Sequence, residues 1–241
     1  MNVEEPQQPA KQVVHAVTSM VSPRYLNLTF IKLFWIFVLG SFFGLVIEDI
    51  FHLIVYHEWE SRAGLVWGPF SPLYGVGAVV LTVFLNRFYY THNLIIFIIA
   101  MILGSIMEYL ASFMMEVFWH AIAWDYTGTF GSIDGRTNFF FGVMWGTLGL
   151  AWVRIIMPCI KSLFKHIDFK SLAVRIVSGA LIVFMTVDIT VTILALHREG
   201  QRTENFAPAS TIDVWLDDTF TDEWLQQRFE NMTVSSEVGS K

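Results

Sequence analysis

Long apolar segments alternate with polar stretches along the chain. The apolar segments cover residues 29–55, 71–85, 93–118, 138–156 and 174–196. A helix needs about 20 mostly apolar residues to cross the hydrocarbon core of a bilayer. A helix also satisfies its own backbone hydrogen bonds there, which an open strand does not. The pattern therefore predicts an all-α, polytopic membrane protein with five transmembrane helices. Pro158 predicts that the fourth helix ends near residue 156.

The composition supports a membrane protein over a soluble domain. Of the 241 residues, 54% are hydrophobic and only 15% are charged, whereas about 25% are charged in soluble domains. A chain of this length cannot hide that excess in one core, so lipid must cover part of its surface. The net charge of −6 argues against a nucleic-acid binder. A single cysteine, Cys159, excludes an intrachain disulfide and a CxxC site.

The polar ends of the chain define its expected organisation. Residues 1–28 form a polar amino-terminal segment that lacks the compact apolar stretch of a cleaved signal, so the first span is predicted to be a retained anchor. Residues 29–196 form the predicted transmembrane domain, and residues 197–241 form an acidic tail. Nine Lys and Arg residues fall on the side of the amino terminus and six on the other. This asymmetry predicts a plasma or inner membrane protein with its amino terminus inside and its carboxyl terminus outside.

The acidic tail contains one periodic segment. Ile212, Leu216, Phe220 and Trp224 recur every four residues, with acidic residues between them. This spacing predicts an amphipathic helix, capped by Ser210 or Thr211. Two interpretations stay open: the helix folds back on the protein's own loops, or it docks a partner protein.

Several acidic residues lie inside the apolar segments, where an ionisable group costs a few kcal/mol. Glycines precede two of them by one helical turn, as Gly44 precedes Glu48 and Gly104 precedes Glu108. Small residues let a neighbouring helix approach closely, so that helix would cover the carboxyl group. The fourth segment offers a matching small-residue face. Its glycines are Gly142, Gly146 and Gly149.

The acidic residues and two arginines are expected to meet near the outer ends of the helices. An arginine can pair with a carboxylate and offset much of its desolvation cost. The predicted outward-facing polar site comprises Glu48, Arg62, Glu108, Glu116, Trp124, Asp125, Tyr126 and Arg136. Its excess negative charge would suit a cation or protons. The alternative is that these charges only lock the helices together. Asp188, near Thr186, Thr190 and Thr192, either joins the site or pairs locally.

The first two predicted helices resemble the next two. Gly44 and Glu48 recur as Gly104 and Glu108, at an offset of 60 residues. Arg62, Gly68 and Gly75 recur 74 residues later, as Arg136, Gly142 and Gly149. Two copies of two spans each would have the same orientation in the membrane. The pattern predicts two parallel repeats, the second carrying an insertion around residues 124–126; chance recurrence of a frequent residue is the alternative.

The loops carry motifs more specific than a connector needs. Residues 62–75 read Arg-x-Gly-x-x-x-Gly-Pro-x-x-Pro-x-Tyr-Gly, with Gly68, Pro69, Pro72, Tyr74 and Gly75 as the motif loop. Further motifs are Glu108-Tyr109 with Glu116 beyond it, Trp124-Asp125-Tyr126, Gly135-Arg136, and the Trp-Gly-x-Leu-Gly of residues 145–149. Pro72 suits the first turn of a helix.

In this order, over residues 34–158, the motifs resemble the CmpB-type ABC-transporter (type IV) membrane proteins. The resemblance implies a permease role in the lipid bilayer. It also implies a separate ATPase or other membrane subunits as partners, and it leaves a homo-oligomer open. The basic loop at residues 161–170 would either dock such an ATPase or be solvated positive-inside charge. The fifth helix and the tail lie outside the resemblance.

No enzymatic motif accompanies these features. The chain contains no P-loop, no Gly-x-Ser-x-Gly and no His-Glu-x-x-His. His52, His57 and His120, near Glu58, match no standard zinc spacing. We therefore expect no catalytic residue, cofactor or metal. Two functional hypotheses stay open: a transport permease component with the polar site above, and a non-transporting membrane scaffold whose buried charges serve packing.

Overall fold

The computed structural model describes residues 23–59, 61–119 and 124–230. Within them, four helices are long and apolar enough to cross a membrane. They are α1 (Phe30–Tyr56), α3 (Asn93–Trp119), the continuous run Phe139–Lys165, and α6 (Leu172–Thr203). Between α1 and α3 lies α2 (Pro72–Leu85), whose 14 residues extend about 21 Å. The described residues contain no strand, only an isolated bridge between Ile133 and Thr137.

The fourth helix does not end before Pro158, so that prediction is wrong. It begins as α4 (Phe139–Ala151), passes through a π-helical turn (Trp152–Ile156) and continues as α5 (Met157–Lys165). In a regular α-helix the proline ring would clash with the carbonyl four residues earlier. The wider π turn ends at Ile156, two residues before Pro158, and lets the helix continue. Sequence spacing does not reveal such a turn.

Helices α1 and α2 pack antiparallel because small residues let their backbones come close. A Cβ atom on Gly44 would overlap the Tyr74 side chain. A Cβ atom on Gly40 would meet Ala78, and Gly75 lies against Phe37. Each contact is to the partner helix of the pair. This close approach covers the face of α1 that leads to Glu48.

Helices α3 and α4 repeat the same packing. Gly104 lies against Trp145, Gly146 against Phe97, and Gly149 against Ala100. These contacts match the three of the first pair at an offset of 60 residues in the first helix and 71 in the second. The predicted offset of 74 for the second helices is therefore corrected. The counterpart of Gly75 is Gly146, and the second copy is three residues shorter than the first between its loop arginine and this glycine.

The alternating helices give the bundle two chemically different ends. We call the end at which α1, α3 and α6 finish the tail end, and the opposite end the basic end. At the basic end, Arg154 of the π turn donates hydrogen bonds to the Thr91 carbonyl at 2.7 Å and to Asn93 Oδ1 at 2.8 Å. Asn86 exchanges hydrogen bonds with the Leu26 backbone at 2.7 and 2.9 Å. These contacts fix the short connection between α2 and α3.

Helix α6 packs against the first pair. The Trp35 indole donates a 2.9 Å hydrogen bond to Ser178 Oγ near the start of α6. Further along, Met185 is buried with Val38 of α1 and Leu65 of the following loop. Helix α6 thus runs parallel to α1 and reaches the tail end beside the first motif loop.

The carboxyl tail folds back on the protein's own loop, the first of the two interpretations left open. It forms two short helices, α7 (Thr211–Thr219) and α8 (Asp222–Arg228), rather than one. Ser210 caps α7 in a capping box, as predicted, and Thr221 caps α8 and so separates the two. The apolar positions form a cluster with Val66 of the loop and Ala195 of α6. From the tail it contains Leu216, Phe220, Leu225 and Phe229.

Ion pairs hold the same tail against the end of α6. The Arg198 guanidinium donates to both Asp217 oxygens at 2.9 Å. Arg202 donates to Asp217 at 2.7 Å and to Asp222 at 2.6 Å. The hydrogen bonds from Arg198 are the largest cause that lowers the pKa of the Asp217 carboxyl below its ordinary value.

The glycine packing predicts a selective effect of Gly104→Ala. The new methyl group must displace the Trp145 side chain, so we expect a loss of about 1–3 kcal/mol of stability. Gly179→Ala is the matched control, because nothing lies within 4 Å of the added Cβ. It should leave stability unchanged or raise it by up to about 1 kcal/mol. Thermal unfolding in detergent measures both; equal destabilisation of the two variants would contradict the packing.

The Asp217 contacts predict a pH dependence of tail docking. A carboxyl with a depressed folded-state pKa stabilises the fold above its unfolded pKa of about 3.9. That contribution is lost as the pH falls through the lower, folded-state value. Asp217→Asn should therefore lower the unfolding temperature at pH 7, and the difference from the native chain should shrink in acid. Asp218→Asn, at the exposed neighbouring position, is the control. A difference that persists undiminished in strong acid would refute the assignment.

Candidate functional site

The first set of polar side chains surrounds Glu48 at the tail end of α1. The Tyr74 hydroxyl donates a hydrogen bond to Glu48 Oε2. Arg62 Nη1 lies 4.0 Å from Glu48 Oε1, and both side chains are partly buried. The Arg62 backbone N–H donates to Asp49 Oδ1 at 3.2 Å. Tyr74 reaches the carboxyl group because Gly44, one turn before Glu48, leaves room for its ring.

The second set surrounds Glu108, at the equivalent position of α3. The residue is only 8% exposed. Its Oε1 accepts from the Tyr126 hydroxyl at 3.1 Å, and its Oε2 accepts from the Thr137 hydroxyl at 2.8 Å. In the described part of the chain, Glu108 forms no ion pair with an arginine or lysine. Its carboxyl group is held by uncharged donors.

Arg136 pairs with Glu116 instead of Glu108. Its Nη2 forms an ion pair with Glu116 Oε2, and its Nη1 donates to Ser112 Oγ at 3.3 Å. The guanidinium also lies 5.8 Å from the centre of the Tyr109 ring and 5.6 Å from that of Phe113. Those distances allow cation–π attraction. Arg136 therefore ties the second loop to the end of α3.

The Trp-Asp-Tyr motif builds the loop that covers Glu108. The Trp124 indole donates to the Arg136 carbonyl at 2.8 Å, and the Tyr126 N–H donates to the Gly135 carbonyl at 2.8 Å. Asp125 accepts from the Thr127 hydroxyl at 2.6 Å and from its N–H at 2.8 Å. These hydrogen bonds lower the pKa of the Asp125 carboxyl. Asp125 stabilises its own turn, whereas the Tyr126 hydroxyl contacts the carboxyl group of Glu108 in α3.

The motif loop is shorter than predicted, because Pro72, Tyr74 and Gly75 lie in α2. Its remaining part, residues 61–70, is held through hydrogen bonds of its backbone. Gly68 adopts a left-handed φ of 67°, which favours glycine there. Pro69 follows it, and Pro72 begins α2 as expected. The Trp67 N–H donates to Asp188 Oδ1 at 3.1 Å, and the Val66 N–H donates to Thr192 Oγ1 at 3.0 Å. Asp188 thus supports this loop, a role that its sequence neighbours Thr186 and Thr190 do not indicate.

The predicted site residues therefore fall into two sets, each built within one helix pair and its loop. The first contains Glu48, Arg62 and Tyr74; the second contains Glu108, Glu116, Trp124, Asp125, Tyr126 and Arg136. Sequence reasoning missed Thr137, whose only signal is its place between Arg136 and the helix cap Asn138. That both sets act as one site stays a prediction. In the described part of the chain, no group of three or more His, Cys, Asp or Glu residues could hold a metal ion. His120 lies outside the described residues.

Comparison with known proteins agrees with the motifs. The family described as Putative ABC-transporter type IV matches residues 35–193, well over half of the chain. The match extends past Pro158 and includes most of α6, which the motif resemblance had left out. No curated protein and no solved structure matches the chain. The chain belongs to the family described as Putative ABC-transporter type IV.

Proposed function

We propose that the protein is a permease-type membrane component of a transport system, with Glu108 as the residue that binds the transported or coupling cation. The family and the long apolar helices support a membrane transport component. The proposed role of Glu108 in cation binding depends on one observation. Glu108 is a buried carboxyl group within a membrane helix, and its described partners, two hydroxyl groups and the Trp145 side chain, are all uncharged.

Hydroxyl donors leave the charge of Glu108 uncompensated. An arginine partner would neutralise the carboxylate and favour a permanent structural ion pair. Arg136, in the loop that covers Glu108, is already paired with Glu116. A carboxylate with only neutral donors attracts a proton or a metal cation, and its cost in the membrane makes it a functional-site candidate. Glu48 would serve the same cation pathway, with its charge moderated by Arg62.

The repeated packing supports a transport architecture. Glu48 and Glu108 each lie one turn beyond the glycine that admits an aromatic residue of the partner helix. We infer that α1–α2 and α3–α4 are parallel repeats related by an axis along the membrane normal. Transporters built from such repeats have their substrate sites at the interface between repeats.

The proposed membrane arrangement has five crossings. Helix α2 is short, but it runs antiparallel to α1 and would cross with it, and the uncharged residues 64–71 before it would extend its passage. The basic end carries Lys165, Lys170 and Arg175, all exposed, and would face the cytoplasm. The tail end, with both carboxyl sets, would face outward. A separate ATPase, other membrane subunits or a second copy of the chain would complete the transport system.

The test uses the full chain together with the proteins that co-purify with it, reconstituted into vesicles with ATP. Fluxes of protons, radioactive sodium and radioactive rubidium are measured. We expect one of these fluxes above that of empty vesicles, and we expect Glu108→Gln to reduce it about tenfold or more, because the amide keeps the shape but removes the charge. Glu58→Gln, on the exposed stretch after α1, is the control. A flux equal in Glu108→Gln and the native chain would reject the role of Glu108.

A second candidate function, a non-transporting scaffold, is favoured by a specific observation. Glu116, Asp125 and Asp134 all have partners within the second pair and its loop. Glu108 itself has an acceptor contact at both oxygens. If these groups serve packing alone, replacing Glu108 would change the stability of the purified protein and leave every flux unchanged.

The hydrogen bond from Thr137 gives a stability prediction for the second set. Thr137→Val keeps the side-chain shape but removes the donor to Glu108, so we expect a loss of about 1–3 kcal/mol. Thr147→Val is the matched control, because the exposed Thr147 hydroxyl bonds only the Val143 carbonyl of its own helix. Thermal unfolding compares the two variants. An effect of Thr137→Val no larger than that of the control would show that this hydrogen bond contributes nothing.

A further inference from the structure

The motif loop of residues 61–70 is held on one side by α6. Asp188 and Thr192 accept hydrogen bonds from the N–H groups of Trp67 and Val66. Asp188 is completely buried, and its Oδ2 has no hydrogen-bond partner among the described residues. A buried carboxylate with a bare oxygen is costly unless a positive charge lies nearby.

The carboxyl tail holds the other side of the same loop and supplies that charge. Arg228, at the end of α8, donates from Nε to the Leu65 carbonyl at 2.9 Å and from Nη2 to the Gly68 carbonyl. In return, the Ser61 hydroxyl donates to the Arg228 carbonyl at 3.2 Å, and the Ser61 N–H donates to Glu230 at 2.6 Å. Burial lowers the pKa of the Arg228 guanidinium, and the Asp188 charge opposes that effect.

The loop held in this way leads directly to the first carboxyl set. Ser61 precedes Arg62, whose guanidinium faces Glu48 and whose N–H bonds Asp49. On the other side, the Ser71 N–H donates to the Ser41 carbonyl of α1 at 3.0 Å. A displacement of the loop would therefore change the position of Arg62 relative to Glu48.

The second loop differs from the first in its means of closure. Its own residues close it, through the Trp124–Arg136 and Tyr126–Gly135 hydrogen bonds and the isolated bridge at Ile133. The first loop is shorter and lacks this insertion. The tail supplies for the first repeat the closure that the inserted residues supply for the second.

We infer that Arg228 and Asp188 are positioning residues for the Arg62–Glu48 pair, and that residues 211–229 form a latch that holds the motif loop against Glu48. The latch controls access to Glu48 from the tail end and leaves Glu108 unaffected. The inference rests on the proposed function only for the role of Glu48 in the cation pathway. The geometry of the latch stands on the contacts above.

Labelling by a hydrophobic carbodiimide, dicyclohexylcarbodiimide, tests the latch in the full-length protein in lipid vesicles. The reagent modifies accessible carboxyl groups, and peptide mass spectrometry gives separate rates for Glu48 and Glu108. Arg228→Gln and Asp188→Asn should each raise the Glu48 rate about tenfold, the factor expected when a hydrogen bond to a charged group is lost. The Glu108 rate should stay at its native value. Arg175→Gln, at the exposed basic end, should change neither rate.

Two further results decide the assignment. Arg228→Lys keeps the positive charge, but its single ammonium group does not reproduce the guanidinium contacts with both loop carbonyls. This variant should therefore give an intermediate labelling rate at Glu48. An unchanged Glu48 rate in Arg228→Gln and Asp188→Asn would overturn the latch. Equal increases at Glu48 and Glu108 would also overturn it, because they would indicate general loosening. Labelling needs no flux, so selective labelling without any measurable flux would keep the latch and reject transport.

Discussion

Close approach of paired helices is the constraint on which the rest of this structure depends. In lipid there is no hydrophobic drive to bring helices together, so contact depends on shape and hydrogen bonding. Gly44 and Gly104 let an aromatic side chain of the partner helix lie directly on the backbone. The carboxyl group one turn further on then lies under the partner's first turn instead of facing acyl chains. The same feature thus holds each pair together and makes a buried acid tolerable at its end.

The two pairs use this common packing differently. Glu48 has an arginine 4.0 Å away and depends on a loop that α6 and the tail hold in place. Glu108 has hydroxyl partners and lies under a loop that closes itself. The loop beside Glu48 therefore depends on contacts from outside its helix pair, whereas the loop over Glu108 is held by contacts within its own pair.

The features fixed by local pattern were predictable from the sequence, and those fixed by distant contacts were not. The apolar lengths of α1, α3 and α6 and the Ser210 cap are local properties. The π turn before Pro158 and the partner of Asp188, a backbone N–H 121 residues away, depend on tertiary contacts. Arg228 lies in a polar tail, where its sequence context indicates ordinary solvated charge. Only the folded chain brings it to the motif loop.

The alignment of the two helix pairs shows the same limit of prediction from sequence. The offset of 60 in the first helices was visible from the Gly–Glu spacing, whereas the frequent glycines of α4 allowed a false alignment of Gly75 with Gly149.

Side-chain-resolution imaging of the protein in a lipid nanodisc tests the account most directly. Superposing residues 37–48 and 74–78 on 97–108 and 145–149 should overlay Glu48 on Glu108, each covered by its partner helix and loop. Either carboxyl group facing acyl chains, or a better overlay at the offset of 74, would contradict the account.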